Sequence, residues 1–112
     1  MNRAEVLYLE SRHQYTIVHL PQRQIRVRIA LSDLLRVFPD YFVRVHRSYV
    51  INVLHVEQIS RREIRLAGGS RIPIPERRSK SVREEVLDAM VRARLVPEQG
   101  SVAPPATKTT LS

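Results

Sequence analysis

The sequence predicts a mainly β fold that is interrupted by one short helix and followed by a second helix. Three observations lead to this prediction. Short runs of β-branched and aromatic residues lie between polar turns, and in residues 24–30 apolar side chains alternate with arginines as on a half-buried strand. After Pro75 the apolar residues change to helical spacing. A chain of 112 residues is long enough to bury the core of one domain.

The first half of the chain predicts three strands. Residues 6–9 and 15–20 suit a hairpin around a polar turn at residues 10–14. The third strand, residues 24–30, has an apolar face made of Ile25, Val27 and Ile29 and a cationic face made of Arg26 and Arg28.

A short helix is predicted next. Ser32 can cap its N-terminus, and Asp33 then lies favourably in the first turn. Pro39 ends the segment. The residues with helical spacing are Leu31, Leu34, Leu35 and Phe38.

A second hairpin is predicted near the C-terminal helix. Residues 63–66 and 71–74 flank Gly68 and Gly69, which accept the positive φ angles of a tight turn. Pro73 has no backbone N–H and therefore limits its strand to a sheet edge.

The C-terminal helix is predicted from Pro75 or Ser79 to Arg94, with Val82, Val86, Leu87, Met90 and Val91 on one face. Its start is basic, with Arg77, Arg78, Lys80 and Arg83. A packed helix with a solvated charged face accounts for the helix body, whereas the basic start also suits an anionic partner. From Pro97 onward Pro, Ser, Thr, Ala and Gly dominate, so we expect residues 97–112 to be a disordered tail.

The charge of the chain indicates a polyanionic partner. The net charge is +8, and 17 of the 19 cations are arginine, which favours planar, bidentate contacts with nucleic acid or an anionic membrane surface. No apolar run is long enough to span a bilayer, and residues 1–4 lack the core of a signal peptide. With no cysteine for a disulfide, we expect a cytoplasmic protein.

Catalytic, metal and cofactor chemistry are poorly supported. The four histidines lack the short paired spacing of a zinc site. His46 and Ser48 would point in parallel from one strand, with no acid nearby in sequence to orient the imidazole. Gly68 and Gly69 lack the rest of a phosphate-binding loop. We therefore expect no enzyme activity, no metal and no cofactor.

The stretch from Arg44 to Asn52 is the most informative part of the chain, because it combines cations and β-branched residues without one acid. On a strand, Arg44, His46 and Ser48 would line one face. Arg47 falls out of that row, and a turn near it would expose a guanidinium that suits phosphate or the O6/N7 edge of guanine. A solvated basic strand edge is the alternative.

Residues 42–52, Phe-Val-Arg-Val-His-Arg-Ser-Tyr-Val-Ile-Asn, resemble the signature of the LytTR-type DNA-binding domain of bacterial transcriptional regulators of the LytR/AlgR kind. The resemblance covers residues 6–90. It implies an elongated arrangement of small antiparallel sheets whose loops enter the major groove of double-stranded DNA. It also implies a further strand before residue 6 and, often, an upstream receiver or sensor domain. We therefore expect residues 1–96 to be a LytTR-like domain that lacks the first family strand.

The resemblance places DNA contacts in three segments: the first polar turn, the Arg-Ser pair of the signature, and the loop that enters the C-terminal helix. Relatives commonly read Pro-Val-Ser-Arg-Arg in the third segment, whereas this chain has Glu76 where the first Arg is expected. The contact then moves to Arg77 or Arg78, or Glu76 accepts from a cytosine amine. The candidate DNA-binding residues are Arg12, His13, Gln14, Arg44, His46, Arg47, Ser48, Arg77, Arg78 and Lys80.

Two other functions fit parts of the sequence. A small basic β module can bind RNA by stacking bases on exposed aromatics, but Tyr8, Phe38, Phe42 and Tyr49 are predicted to point into the core. A regulatory interaction domain with weakened DNA binding is the other alternative, because of Glu76 and the expected absence of the first family strand. For DNA, a module of this size suits one half-site, so we expect a dimer on repeated half-sites.

Overall fold

A computed structural model of the protein describes residues 2–94. The larger of its two antiparallel sheets has the strand order β3-β2-β1-β5-β4, with β1 Tyr8–Arg12, β2 Tyr15–His19, β3 Gln24–Val27, β4 Phe42–His46 and β5 Tyr49–Asn52. The smaller has the order β6-β7-β8, with β6 Val56–Ile59, β7 Glu63–Leu66 and β8 Arg71–Pro73. The helices are α1 Leu31–Leu35 and α2 Ser79–Arg94, and 3-10 turns occupy Arg3–Glu5, Val53–His55 and Glu76–Arg78.

These elements confirm the predicted fold class. The principal extents of 49 × 33 × 25 Å describe an elongated arrangement of two small sheets with a short internal helix and a C-terminal helix. Pro73 lies in β8, at the edge of the smaller sheet, as its missing N–H predicts. Among residues 2–94 no helix has the length and apolarity needed to cross a membrane. The predicted tail at residues 97–112 lies outside the described residues.

Strand β1 is the central strand of the larger sheet. It pairs with β2, where Tyr8 lies opposite His19, and with β5, where Leu9 lies opposite Val50. The ladder to β5 is extended by a hydrogen bond of 2.8 Å from the Ser11 N–H to the Ser48 carbonyl. The β1–β2 turn and the β4–β5 turn therefore lie side by side at one end of the sheet.

The two faces of the larger sheet are covered by different elements. On one face, α1 closes a core made of Val6, Leu9, Val18, Leu20, Leu31, Leu34, Phe42 and Val50. On the other face, the smaller sheet and α2 close a second core made of Leu7, Val43, Val45, Ile51, Val53, Ile64, Leu66, Ile72, Ile74, Val82, Val86 and Ala89. The strands that carry the candidate turns are therefore packed from both sides.

Asn52 connects the end of β5 to the N-terminal segment. Its fully buried side chain donates to the carbonyls of Ala4 and Val6, at 3.2 and 2.8 Å. Its Oδ1 accepts from the Leu54 N–H at 2.9 Å and so caps the 3-10 turn Val53–His55. The last residue of the signature thus satisfies three backbone groups.

Two predicted boundaries in the first half were wrong. The polar turn is only two residues long, because β1 continues to Arg12 and pairs there with Tyr15. The third strand ends at Val27, since its ladder with β2 ends where Thr16 lies opposite Val27. Ile29, predicted to lie on the apolar face, is exposed.

The predicted cap of the internal helix was also wrong. Ala30, which has no side-chain cap hydrogen bond, occupies the N-cap position, and Ser32 lies within α1. The buried pair Leu31 and Leu34 explains the difference, because both must lie inside the helix to reach the core together.

The buried face of α2 differs from the predicted one. Val82, Val86 and Ala89 are buried, whereas Leu87 and Val91 are 50% and 56% exposed. The spacing of four and then three residues selects one stripe of the helix, and each following residue lies about 100° around the axis. An apolar residue directly after a core position therefore faces solvent.

Candidate nucleic-acid interface

The first candidate segment is the two-residue turn between β1 and β2. His13 has a φ angle of +57°, a left-handed conformation that His adopts more readily than most residues. The Gln14 Oε1 accepts from the Arg28 guanidinium at 2.8 Å. Both turn residues are exposed, so their side chains are accessible to a ligand at this end of the sheet.

Arg12 lies beside this turn but is engaged within the protein. Its guanidinium forms an ion pair of 2.8 Å with Glu10, which also bonds to the His19 Nε2 at 2.8 Å. Burial raises the pKa of Glu10, but the hydrogen bonds from His19 and Arg12 outweigh it and leave the pKa lowered. Glu10 is therefore charged at neutral pH and draws Arg12 onto the sheet face.

The second candidate segment is the turn between β4 and β5, and two of its predicted contact residues hold its backbone. The Arg44 guanidinium donates to the His46 carbonyl at 3.4 Å and to the Arg47 carbonyl. The His46 Nδ1 accepts from the Ser48 N–H at 3.0 Å. Arg47 is exposed, and no residue among 2–94 pairs with its guanidinium.

The predicted row of Arg44, His46 and Ser48 on one strand face was only partly right. β4 ends at His46, so Ser48 lies in the turn, and the β4–β5 ladder shifts register between Arg44 and His46. Such an irregularity re-aims side chains at a strand end. Arg47 follows this irregularity and is exposed in the turn at the end of the sheet.

The third candidate segment, residues 75–80, is attached to the turn between β6 and β7. Pro75 is the N-cap of the 3-10 turn that contains Arg77 and Arg78. The Ser79 hydroxyl donates to the Arg61 carbonyl at 2.7 Å and accepts from the Arg83 Nε at 3.1 Å. Arg77, Arg78 and Lys80 are all exposed.

The direction of α2 brings this segment toward the other two. At its C-terminal end, Arg92 lies 3.8 Å from Asp40, just before β4 begins. At its N-terminal end, Ser79 bonds to the turn that follows β6. The helix packs on β4 in the shared core and runs against the strand direction, so its basic start lies toward the end where β4 reaches Arg47.

Some cations of the surface form ion pairs and others do not. Acidic partners hold Arg12, Arg36, Arg65, Arg71 and Arg92. In contrast, none of the ion pairs within residues 2–94 involves Arg47, Arg61, Arg62, Arg77, Arg78 or Lys80. The exposed Glu76 lies among the last of these. These unpaired cations lie on the second and third candidate segments and on the β6–β7 turn. Other arginines that form no ion pair within residues 2–94 are Arg3, Arg23, Arg26, Arg28, Arg44, Arg83 and Arg94.

Three cations of this surface were missed by the sequence analysis. Arg61 and Arg62 lie in the β6–β7 turn, where their carbonyls bond to Ser79 and to the Ile74 N–H. Arg28 reaches the first turn through Gln14. The Arg61-Arg62 doublet was visible in the sequence, but only the tertiary contacts place it beside the basic start of α2.

The aromatic residues do not form a stacking surface at this end. Phe42 is buried, and Tyr8, Tyr49 and Phe38 are half-buried against the two cores, as predicted. Tyr15 is partly covered by Arg26, whose guanidinium lies 4.7 Å from the ring centroid. The interface therefore offers charge and hydrogen-bond donors rather than stacking platforms, which favours duplex DNA over single-stranded RNA.

A small two-sheet β domain that presents arginine-bearing turns at one end defines the chain as a nucleic-acid-binding module. The chain belongs to the LytTr DNA-binding domain family, whose profile matches residues 1–86. This confirms the predicted family and, with it, DNA binding in transcriptional regulation.

Two known proteins illustrate the relationship. The chain is 39% identical over 64 residues to the CO-responsive transcriptional regulator RcoM of Rhodospirillum rubrum; the match covers 56% of this chain and 27% of that protein. Its fold is similar to the LytTr DNA-binding domain of a Bacillus cereus protein described as a methyl-accepting/DNA response regulator. That match has a TM-score of 0.70 and 24% identity, and covers 77% of this chain and 84% of the other.

Proposed function

We propose that this DNA-binding domain recognises a specific sequence in double-stranded DNA, with its turns inserted into the major groove. The observation that carries the proposal is the exposed Arg47 guanidinium on a turn whose backbone is held by Arg44 and His46. A planar donor on a turn with a fixed backbone suits the O6 and N7 atoms of guanine, which are presented together only in the major groove.

The three segments contribute different contacts in this proposal. Arg47 reads a base, and His13 and Gln14 contact the DNA at the adjacent turn. Lys80, a flexible point charge, binds phosphate and positions the domain without reading sequence. Arg77 and Arg78 supply the contact of the third segment, where Glu76 either repels phosphate or accepts from a cytosine amine.

The salt dependence of binding tests this division of roles. Log affinity for duplex DNA should fall with log salt at roughly −0.9 per phosphate contacted, while one duplex selected from a random pool stays bound longest. Lys80→Ala should weaken selected and random duplexes alike and reduce the slope by about one. Fluorescence anisotropy over a salt series measures both quantities.

Arg92→Ala is the matched control, because Arg92 lies on the same helix but pairs with Asp40 at its far end. Its salt slope should equal that of the unaltered protein. A slope near zero for the unaltered protein, or equal affinity for every duplex in the pool, would rule out the proposed function.

The size of the domain suggests how it occupies a promoter. We propose that one copy covers one half-site and that two copies bind repeated half-sites together. Titration by analytical ultracentrifugation should then give two proteins per duplex with paired sites and weak binding to a single half-site. Tight one-to-one binding to an isolated half-site would contradict this proposal.

In the cell, we propose that the domain is the output part of a cytoplasmic bacterial regulator, controlled by a receiver or sensor domain. The likeness to part of RcoM, a CO-responsive transcriptional regulator, supports this setting. The chain spans about a quarter of the length of RcoM, so we do not assign the CO response of RcoM to this chain.

A further inference from the structure

The turn that carries Arg47, residues 46–49 between β4 and β5, is held by a hydrogen bond to a titratable side chain. We call it the Arg47 turn. The His46 Nδ1 accepts from the Ser48 N–H at 3.0 Å. This is the arrangement of an Asx turn, in which an Asn side chain accepts from the N–H two residues later. Only an unprotonated ring nitrogen can accept, so a proton on Nδ1 removes the bond and places two donors against each other.

The groups around His46 do little to stabilise a protonated imidazole ring. Arg44 and Arg47, its neighbours on the strand and turn, are both cations. Its cross-strand partner on β5 is Tyr49, whose ring centroid is 5.4 Å away. The nearest acid on the sheet, Glu10 on β1, lies opposite Tyr49 but is bonded to Arg12 and His19.

The remaining neighbour of β4 is helix α2, whose first two turns carry the charged residues Lys80, Arg83, Glu84 and Glu85. Helix α2 contributes Val82, Val86 and Ala89 to the core that it shares with Val43 and Val45 of the strand. Burial and the charge of Arg47 lower the pKa of His46. The ring is therefore neutral at neutral pH, which is the state that the Ser48 bond requires.

We propose that His46 is a positioning residue that fixes the Arg47 turn, and that the protein loses sequence discrimination when His46 is protonated. The inference rests on the proposed reading role of Arg47. His46 affects DNA binding through the turn and not by touching the DNA. Protonation of His46 determines whether the Arg47 guanidinium is held in one orientation or samples several.

The direction in which affinity changes with pH distinguishes a positioning role of His46 from direct contact between His46 and DNA. A protonated histidine near DNA adds positive charge, so affinity for random duplex rises as the pH falls. If His46 positions the turn, affinity for the selected duplex should not rise in step. The ratio of selected to random affinity should fall, on the order of fivefold, as one hydrogen bond of the turn is lost.

The first experiment needs no DNA. The backbone amide of Ser48 is followed by ¹⁵N NMR on the full chain from about pH 7.5 to about pH 5, the range in which histidine titrates. We expect the Ser48 resonance to shift with the same midpoint as the His46 ring, which lies below that of an exposed histidine. A Ser48 amide that does not follow the His46 titration would overturn the proposal.

The second experiment measures the affinity ratio across the same pH range. His46→Asn keeps an acceptor at the position of Nδ1 but cannot titrate, so its ratio should stay high and flat. His46→Phe removes the acceptor, so its ratio should be low at every pH. His55→Asn instead removes a histidine that bonds to the Ala4 carbonyl and lies outside the candidate interface, and its ratio should still fall in acid. A His46→Asn ratio that falls as in the unaltered protein overturns the inference.

The results distinguish an error in the proposed function from an error in the positioning role of His46. If Arg47 does not read a base, Arg47→Ala leaves the ratio unchanged while the Ser48 amide still titrates with His46. If only the positioning role is wrong, Arg47→Ala lowers the ratio and the Ser48 amide is insensitive to pH.

Discussion

Arg47→Ala should weaken binding to the selected duplex by about 1–3 kcal/mol, or roughly 5- to 150-fold, and weaken random duplex much less. The guanidinium is exposed and unpaired among residues 2–94, so its removal costs no internal contact. The specific loss arises because a bidentate contact to guanine disappears and leaves two base acceptors without donors. Parallel titrations of both duplexes measure the difference.

Arg47→Lys is the informative companion substitution. Lysine keeps the charge but not the planar fork, so phosphate binding survives and bidentate reading does not. We expect Arg47→Lys to bind random duplex normally and to lose most of the preference for the selected one. Equal losses on both duplexes for Arg47→Ala would instead make Arg47 a phosphate contact.

Asn52→Ala should lower the free energy of unfolding by about 2–4 kcal/mol, the largest loss of stability that we expect from one polar substitution in this chain. The buried carbonyls of Ala4 and Val6 lose their donor, and the Leu54 N–H loses its acceptor. Urea denaturation measures the change.

Asn2 provides a natural control, because it caps the 3-10 turn Arg3–Glu5 in the same way but is exposed. Asn2→Ala should cost about 0.5–1 kcal/mol, the usual value of an exposed cap. Asn52→Asp keeps the cap and removes the donor, so it separates the two roles of Asn52. A loss for Asn52→Ala no larger than that for Asn2→Ala would show that burial adds nothing.

The fold was predictable wherever one physical signal dominated. The glycine pair, Pro73 and the change to helical spacing after Pro75 each determined an element, because each has few alternatives. Boundaries depended on competition between signals. Ser32 is a good cap by itself, yet burial of Leu31 moved the start of α1.

The candidate interface was predictable only in part. The signature identified Arg47, but it could not distinguish candidate contact residues from those that hold the turn, because Arg44, His46 and Arg47 are all polar. That difference depends on backbone hydrogen bonds across the turn. The contribution of Arg61 and Arg62 depends on the Ser79 hydroxyl, a contact between residues 18 positions apart.

The pairing of β1 with β5 also determines the distance between the first two turns. A strand and a DNA strand both rise about 3.4 Å per unit. The smallest slip of β5 that keeps its side chains on their faces is two residues, which would displace the Arg47 turn by about 6.8 Å, or about two base pairs. Leu9 and Val50, opposite each other and fully buried, prevent that slip. If the two turns contact DNA as we propose, this apolar pair in the core sets the spacing, in base pairs, between their contacts.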